Sequence, residues 1–358
     1  MNALVMFVVL ILASLVASDS EARREIRTPK QKERLLKADR VLLDILALTD
    51  KGEVDTSRIT DIASRRMKEL GYTVLLDRDQ PHDLKFRIKC EQRKVWQGTN
   101  PSGGDADLPD SPSRVWKGPA CQLGYFLRGR DLGWRKEVRT DFQDSIKAAA
   151  EAGGQDPGAY ALDRLLVKLE RYDFPVLVTA DWGQVGRLLK LLDDPNTAEP
   201  RQIKVISVLG DILASDAVPR LSAEVSNPNV EIAHAAIVAL GKIGKQETIP
   251  LLAKLLKSGR PETQPAAAKA LGRVGAMNFD FSVVDPLLEA LKSDHVQVKI
   301  EVAWALGRLP DRRSYQPLLD LHNSLHTGKK AKVSPEIAEL RKALAWSLKQ
   351  VDWYDQIN

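Results

Sequence analysis

Two glycines separated by two residues occur in GKIG, Gly241 to Gly244, and again in GRVG, Gly272 to Gly275. A glycine pair at this spacing can form a turn whose backbone N–H groups hold a nucleic-acid backbone. A glycine is also typical of a helix end, where the chain adopts a positive φ. The first interpretation predicts nucleic-acid binding, and the second gives the glycines a structural role.

Candidate metal ligands are few. His322 and His326 are four residues apart, as on one face of a helix, but only Asp320 is near enough in sequence to be a third zinc ligand. The loop GGDADLPD, Gly103 to Asp110, contains three aspartates but lacks the EF-hand spacing that calcium sites use. The sequence therefore predicts no metal and no cofactor. It also lacks G-x-S-x-G, P-loop and H-E-x-x-H motifs, which favours a protein that is not an enzyme.

Basic residues are concentrated between Gln80 and Thr140, where 12 Lys and Arg stand against 7 Asp and Glu. By strand alternation several of them share one outward sheet face. Such a face can bind anionic lipid, acidic polysaccharide or an acidic protein, or it can simply keep the sheet soluble. The residues of this basic face are Lys85, Arg87, Lys89, Arg93, Arg135 and Arg139.

The elements that position these residues are predicted from periodicity. Arg40 to Thr49 and Tyr72 to Leu76 predict strands, and Thr56 to Leu70 predicts a helix that ends at Gly71. A half-buried strand begins at Leu84, and two more form a hairpin that turns between Arg128 and Asp131. With helices at about 141–152 and 158–171, this predicts an α+β domain with antiparallel strands.

The two cysteines, Cys90 and Cys121, both lie on the inward side of predicted strands. An even cysteine count in an oxidising compartment indicates a disulfide. We therefore predict a bond between Cys90 and Cys121.

The glycine phrase belongs to a longer repeat. Leu-Gly recurs at glycines 210, 241, 272 and 307, and a proline landmark recurs at residues 219, 250, 286 and 317. The steps are 31 to 36 residues, and the longer ones share a short insertion at Met277 to Phe281. Each unit predicts a short helix begun by proline, a turn and an alanine-rich second helix. The glycine spacing is therefore interpreted as a helix-end signature, with Gly244 and Gly275 as terminators, and no specific nucleic-acid recognition is expected.

With this P-x-L/L-L…A-L-G phrase, residues of about 181–352 resemble HEAT repeats of the phycobilisome-lyase-like type. The resemblance implies an all-α solenoid of about five repeats. The family usually has an arginine early in the second helix, where this chain has Gln202, Ala233, Gln264 and Lys299. Its members include bilin lyases, metal-dependent hydroxylases and adaptors, and the repeated His-Glu pairs of the hydroxylases are not found in this chain.

Alignment of the second helices on Leu-Gly produces two rows that lie four residues apart on one stripe. If the stripe faces a partner, Trp304, Trp346, Ile300 and Lys342 are its binding residues, because exposed tryptophans are typical anchors. Alternatively, the tryptophans seal the end of the solenoid together with Trp353 and Tyr354. The first row is Ser207, Val238, Lys269, Trp304 and Trp346, and the second is Ile203, His234, Pro265, Ile300 and Lys342.

The first residues predict the compartment. Leu4 to Ala17 is an apolar run shorter than a spanning helix, which is typical of a signal peptide. The arginines that follow it favour instead an uncleaved anchor with the body of the protein in the cytoplasm. The expected organisation is a signal peptide or membrane anchor at 1–18, a charged linker or exposed helix at 19–36, the α+β domain at 37–180 and the solenoid at 181–358. We expect an extracytoplasmic protein, periplasmic or secreted, or one anchored by its N-terminal segment.

Three functional hypotheses follow. The first is a non-enzymatic, exported or membrane-tethered interaction scaffold whose partner is a protein of the cell envelope. The second is a lyase-type enzyme or enzyme subunit, with the repeats shaping a ligand cleft. The third is a binder of polyanions or anionic lipid through the basic face.

Overall fold

The computed structural model describes residues 27–49, 52–97, 113–127, 130–139, 157–325 and 334–357, with a few single positions between 147 and 154. The chain divides into two compact units between Pro175 and Val176. The predicted signal or anchor segment and the GGDADLPD loop lie outside the described residues. Within the described part, no helix combines the length and apolar character needed to cross a membrane.

In its described residues, the N-terminal unit contains a six-stranded sheet and three helices before the division. The strands are β1 (Arg40–Thr49), β2 (Gly52–Glu53), β3 (Thr73–Leu75), β4 (Leu84–Gln97), β5 (Ser113–Leu127) and β6 (Arg130–Arg139). The helices are α1 (Pro29–Lys37), α2 (Ser57–Glu69) and α3 (Pro157–Arg171).

The sheet is mixed, whereas the sequence predicted antiparallel strands. β4, β5 and β6 are antiparallel neighbours, but β1 runs parallel to both β3 and β4. The parallel pair of β1 and β3 arises because α2 carries the chain back to the start of the sheet. In the charged segment, where the sequence left a linker and an exposed helix open, Pro29–Lys37 is a helix whose first turn is capped by Thr28 and Gln31.

One face of the sheet forms the core of this unit. Leu84, Phe86, Ile88 and Cys90 alternate along β4 and are fully buried. α3 packs on β5 and β6, and α2 packs on β1 and β3. The ring of Phe86 stacks on that of Phe174, with 5.1 Å between ring centroids. The period-2 pattern of the sequence therefore identified the buried face correctly.

The C-terminal unit is a succession of helix pairs that begins in α4 (Phe174–Asp181). The first helices of the five pairs are α5 (Val185–Asp193), α7 (Val218–Glu224), α9 (Ile249–Ser258), α11 (Val284–Ala290) and α13 (Tyr315–Ser324). The second helices are α6 (Glu199–Asp211), α8 (Val230–Ile243), α10 (Gln264–Asn278), α12 (Val296–Arg308) and α14 (Pro335–Ile357). The predicted all-α solenoid is confirmed.

The repeated Leu-Gly glycine is a contact between neighbouring second helices. A Cβ placed on Gly241 would lie 2.8 Å from the Cα of Ala270, and one on Gly272 would lie 2.2 Å from the Cβ of Ala305. Each alanine belongs to the A-L-G phrase of the next repeat. The phrase recurs because its alanine fits against the preceding glycine while its own glycine receives the following alanine. This close approach needs a residue without a side chain.

Between α12 and α14, the last pair of neighbouring second helices, a glycine faces a tryptophan and a serine in place of an alanine. Gly307 faces Trp346 and Ser347, and a Cβ on it would lie 2.4 Å from Cζ3 of the indole. Ser347 is buried, and its hydroxyl donates to the carbonyl oxygens of Ala303 and Ala343, at 2.6 and 2.9 Å. Trp346 is therefore held against the backbone of α12.

The second glycine of each G-x-x-G pair behaves differently in the two repeats. Gly244 ends α8 in the left-handed conformation, with φ of 75°, as predicted. Gly275 lies inside α10, which continues to Asn278 and ends at Phe279 with φ of 51°. The prediction that Gly275 terminates its helix is wrong, because the insertion at Met277 to Phe281 extends α10 by about one turn.

Arginines outside the family position join the repeats. Arg220 donates to the carbonyl oxygen of Leu192, and Arg260 donates to the carbonyl oxygen of Asn227. Arg313 pairs with Asp285 at 2.8 Å. Each of these contacts connects one repeat to the preceding one.

The family position itself holds glutamines in two of the repeats. Gln202 and Gln264 donate to carbonyl oxygens just ahead of their own helices, at 2.7 and 3.4 Å. These contacts of the glutamines are local to one repeat, unlike the arginine contacts described above, which reach the preceding repeat.

Candidate protein-binding surface

The aligned rows of the second helices lie at the surface with one exception. All five residues of the first row are partly or fully exposed, as are four residues of the second row. Ile300 is only 1% exposed, so it is buried beneath the stripe and a partner would not contact it in this structure. We call the remaining exposed residues of the two rows the second-helix stripe.

Trp304 and Trp346 are in contact on this stripe. Their ring centroids are 5.1 Å apart and their planes are tilted by 49°. Both side chains are partly exposed. Because Trp346 packs on Gly307, the two indoles form one apolar surface with a fixed orientation.

Trp353 does not complete a sealed end of the solenoid. It lies seven residues after Trp346 on α14, which places it on the same side of that helix, and it is 52% exposed. Tyr354 is partly exposed. The tryptophan pair is therefore a half-buried contact that leaves apolar surface open to a partner.

At the other end of the stripe, α6 and α8 form an open groove of about 430 Å³. Ile203, Ser207, His234 and Val238 of the two rows all line it, which confirms that the aligned positions lie close together in space. Val230 adds a further apolar side chain that is 36% exposed.

Ion pairs cross the stripe between neighbouring helices. Lys242 contacts Asp211 at 2.6 Å, and Lys269 contacts Glu301 at 3.6 Å. These pairs connect equivalent faces of successive second helices. Exposed pairs of this kind contribute little stability, and their effect here is to orient the lysines.

The described cations of the basic face, Lys85, Arg87 and Lys89, each lie close to an acidic side chain. Asp44 on β1 lies directly beside Arg87 in the strand register and is only 5% exposed. Arg87 and Arg78 each donate to it at 2.7 Å, and Lys85 lies 4.0 Å from it. Lys89 pairs with Glu91 at 2.7 Å. The side chains of Arg93, Arg135 and Arg139 lie outside what the structure describes.

Sequence reasoning missed Asp44, although its position in an otherwise apolar strand was visible. Burial alone raises the pKa of the Asp44 carboxyl. Hydrogen bonds and charge attraction from Arg87 and Arg78 outweigh that effect, and the pKa of Asp44 lies below its ordinary value.

We therefore expect the contribution of Asp44 to stability to depend on pH. A carboxyl whose folded pKa is depressed stabilises the protein above its unfolded pKa of about 3.9, and this contribution is lost as pH falls through the folded pKa. Asp44→Asn should lower the free energy of unfolding by about 1–2 kcal/mol at pH 7, because it removes the charge that attracts Arg87 and Arg78. The loss is no larger because both arginines remain partly solvated. Urea titrations at pH 7 and below pH 4 check this. A deficit of equal size at both pH values would contradict it.

Cys90 and Cys121 face each other across β4 and β5 and are joined by a disulfide. Both are fully buried among the inward residues of the sheet. The predicted bond is present in the structure.

The candidate metal ligands do not form a site in the described part of the chain. No group of three or more His, Cys, Asp or Glu residues there is arranged to hold a metal ion. Asp320 accepts a hydrogen bond from Gln316 at 2.7 Å. His326 and the three aspartates of the GGDADLPD loop lie outside the described residues.

Sequence alignment also missed a third row, which lies four residues beyond the tryptophan row. It contains Lys242, Arg273 and Arg308, each directly after the glycine of a Leu-Gly landmark. Arg273 and Arg308 are exposed. The repeated Leu-Gly could have identified this row, because the residue that follows an interface glycine lies at the edge of the contact between the two helices.

Comparison with known proteins agrees with this geometry. A family model described as HEAT repeats matches residues 185–263 and 249–327. No curated protein matches the chain. The matched residues cover the four helix pairs from α5 to α12 and the first helix of the fifth pair, α13. Residues 185–327 are similar to HEAT repeats, and the helix pairs of the C-terminal unit are consistent with a HEAT solenoid.

Proposed function

We propose that this protein is a non-enzymatic interaction scaffold that binds a partner protein on the second-helix stripe. HEAT repeats generally mediate protein–protein interaction, and a stack of second helices offers an extended surface. The proposal includes the phycobilisome-lyase-like subtype of the repeats, which the A-L-G phrase resembles.

The observation that carries the proposal is the contact of Trp304 with Trp346. Two partly exposed indoles stand side by side on neighbouring helices. Because Gly307 and Ser347 hold α12 and α14 close together, the aromatic surface is formed before a partner arrives. Preorganised aromatic side chains are the usual centres of binding energy at protein interfaces.

We expect Trp304→Ala to weaken partner binding by about 30-fold, which corresponds to the usual threshold of a binding hot spot. Its cost in unfolding free energy should be less than the roughly 3–5 kcal/mol of a fully buried tryptophan, because the side chain is partly exposed. The matched control is Phe279→Ala, since Phe279 is 79% exposed and lies off the stripe. Partner capture measures binding by both variants, and urea unfolding measures their stability.

The partner is first identified by a photo-crosslinking residue at position 342, in place of the exposed Lys342. The same residue at position 292, where Lys292 is exposed at the end of the first helix of another repeat, is the control. A discrete crosslinked protein at 342 and not at 292 supports the proposal. Equal crosslinking at the two positions, or full binding by Trp304→Ala, would show that the stripe is not the interface.

We further propose that the protein acts outside the cytoplasm, as an exported or membrane-tethered protein of the cell envelope. The apolar segment from Leu4 to Ala17 and the disulfide between Cys90 and Cys121 support this compartment. Fractionation of the native cell with detection of the full chain tests it. Recovery in the cytoplasmic fraction with both thiols reduced would contradict it.

A role of the basic face in binding an anionic surface has less support. Arg87 and Lys85 are directed to Asp44 and also lie over the ring of Phe126, at 5.4 and 4.9 Å from its centroid. Cations engaged in this way are less available to a polyanion.

A further inference from the structure

The stripe changes character over its last three repeats, in α10, α12 and α14. The tryptophans there are surrounded by cations. Arg308 follows Trp304 by one turn, while Lys342 precedes Trp346 by one turn and Lys349 follows it. Arg273 occupies the place of Arg308 on the neighbouring helix. We call Trp304, Trp346, Arg273, Arg308, Lys342 and Lys349 the tryptophan surface.

The cations of the tryptophan surface are exposed and carry no ion pair to any described residue. Acidic side chains are fewer on the same helices. Glu301 is already paired with Lys269, at 3.6 Å. Glu339 lies one turn before Lys342 and Asp352 one turn after Lys349, so two exposed carboxylates at the edge of the surface face four cations. The surroundings of the indole pair are therefore net positive.

We propose that the tryptophan surface binds an acidic peptide segment that carries one aromatic or large aliphatic anchor. This inference rests on the proposed function and specifies the chemistry of its partner. The anchor packs on the paired indoles, and flanking carboxylates face the unpaired cations. A basic segment could stack on tryptophan, but the four cations would repel it.

The geometry restricts the spacing of the acidic residues. Trp304 and Arg308 are one turn apart, about 6 Å along the helix axis. Neighbouring helices such as α10 and α12 pack about 8–10 Å apart. An extended segment advances about 3.3 Å per residue. The carboxylates therefore belong about two to three positions from the anchor.

A phage-displayed library of random 12-residue peptides, selected on the full protein, tests this chemistry. Clones that the parent protein captures and the Trp304→Ala variant does not should be net acidic. They should carry an aromatic or aliphatic residue two to three positions from Asp or Glu. Clones that require Trp304 but show no excess of Asp or Glu would overturn the inference and leave the proposed function standing. If no clone depends on Trp304 or Arg308, the inference and the proposed function are both wrong.

A fluorescein-labelled peptide from the most enriched clone measures the contribution of charge. Arg273→Glu combined with Arg308→Glu should reduce its affinity about 10-fold or more at low ionic strength, and the difference should shrink in high salt. Lys292→Glu is the matched control, because Lys292 is exposed and lies away from the surface. Urea unfolding verifies that each variant is folded.

Two results of this measurement would overturn the inference. Equal affinity of the double variant and the parent would show that the cations take no part. Undiminished binding of a peptide whose anchor is replaced by Ser would show a general attraction of anions, such as a polyanion or an anionic lipid would also experience.

Discussion

Gly272→Ala should lower the free energy of unfolding of the solenoid by about 1–3 kcal/mol, the usual cost of overpacking a closely packed interface. The added Cβ would lie 2.2 Å from the Cβ of Ala305 and 2.8 Å from its Cα, and the Cα cannot move without displacing α12. Alanine favours helix over glycine by about 1 kcal/mol, so destabilisation means that the clash outweighs this gain. Urea unfolding followed by circular dichroism measures it.

Gly186→Ala is the matched control, because Gly186 is also helical and nothing lies within 4 Å of its built Cβ. This variant should be about 0.5–1 kcal/mol more stable than the parent. Adding Ala305→Gly to Gly272→Ala should recover part of the loss, which a double-mutant cycle reports as a favourable coupling. If both glycine variants gained stability equally, the helix contact would not require a glycine.

Replacing Cys90 and Cys121 with Ala should cost the N-terminal unit about 3–4 kcal/mol. The bond closes a loop with a sequence separation of 31 residues, and loop-closure entropy predicts this magnitude. Hydrogen exchange of peptides from β4 and β5 measures the effect in the strands concerned, since the chain contains two units and one global transition is not assured. Protection of both strands should fall.

The bond also makes a prediction about redox chemistry. A reducing agent should lower protection of β4 and β5 in the parent protein and leave the double variant unchanged. Thiol titration of the denatured, unreduced native protein should find no reactive cysteine. Two reactive thiols in this titration would contradict the disulfide.

The sequence was sufficient for features that depend on local periodicity. Alternation in β4 identified the buried side of the sheet, and a repeat of 31 to 36 residues identified the helix pairs of the solenoid. Cys90 and Cys121 followed from strand parity, because residues on the same side of paired strands meet across the sheet. Each of these signals is a pattern along the chain, so no knowledge of the tertiary structure was needed.

Features that depend on distant contacts were decided by the tertiary structure. Asp44 came to lie beside Arg87 through the parallel pairing of β1 with β4, whereas the sequence predicted antiparallel strands. Ile300 occupies the same alignment position as exposed residues but is buried, because exposure depends on the neighbouring helix as well as on the helix itself. The sequence interpreted the spacing that contains Gly272 as a helix-end signature, but a glycine can end a helix or admit a neighbour, and Gly272 lies inside α10 against α12. Only the position of Ala305 in the next repeat distinguishes the two, because close packing is a property of two segments together.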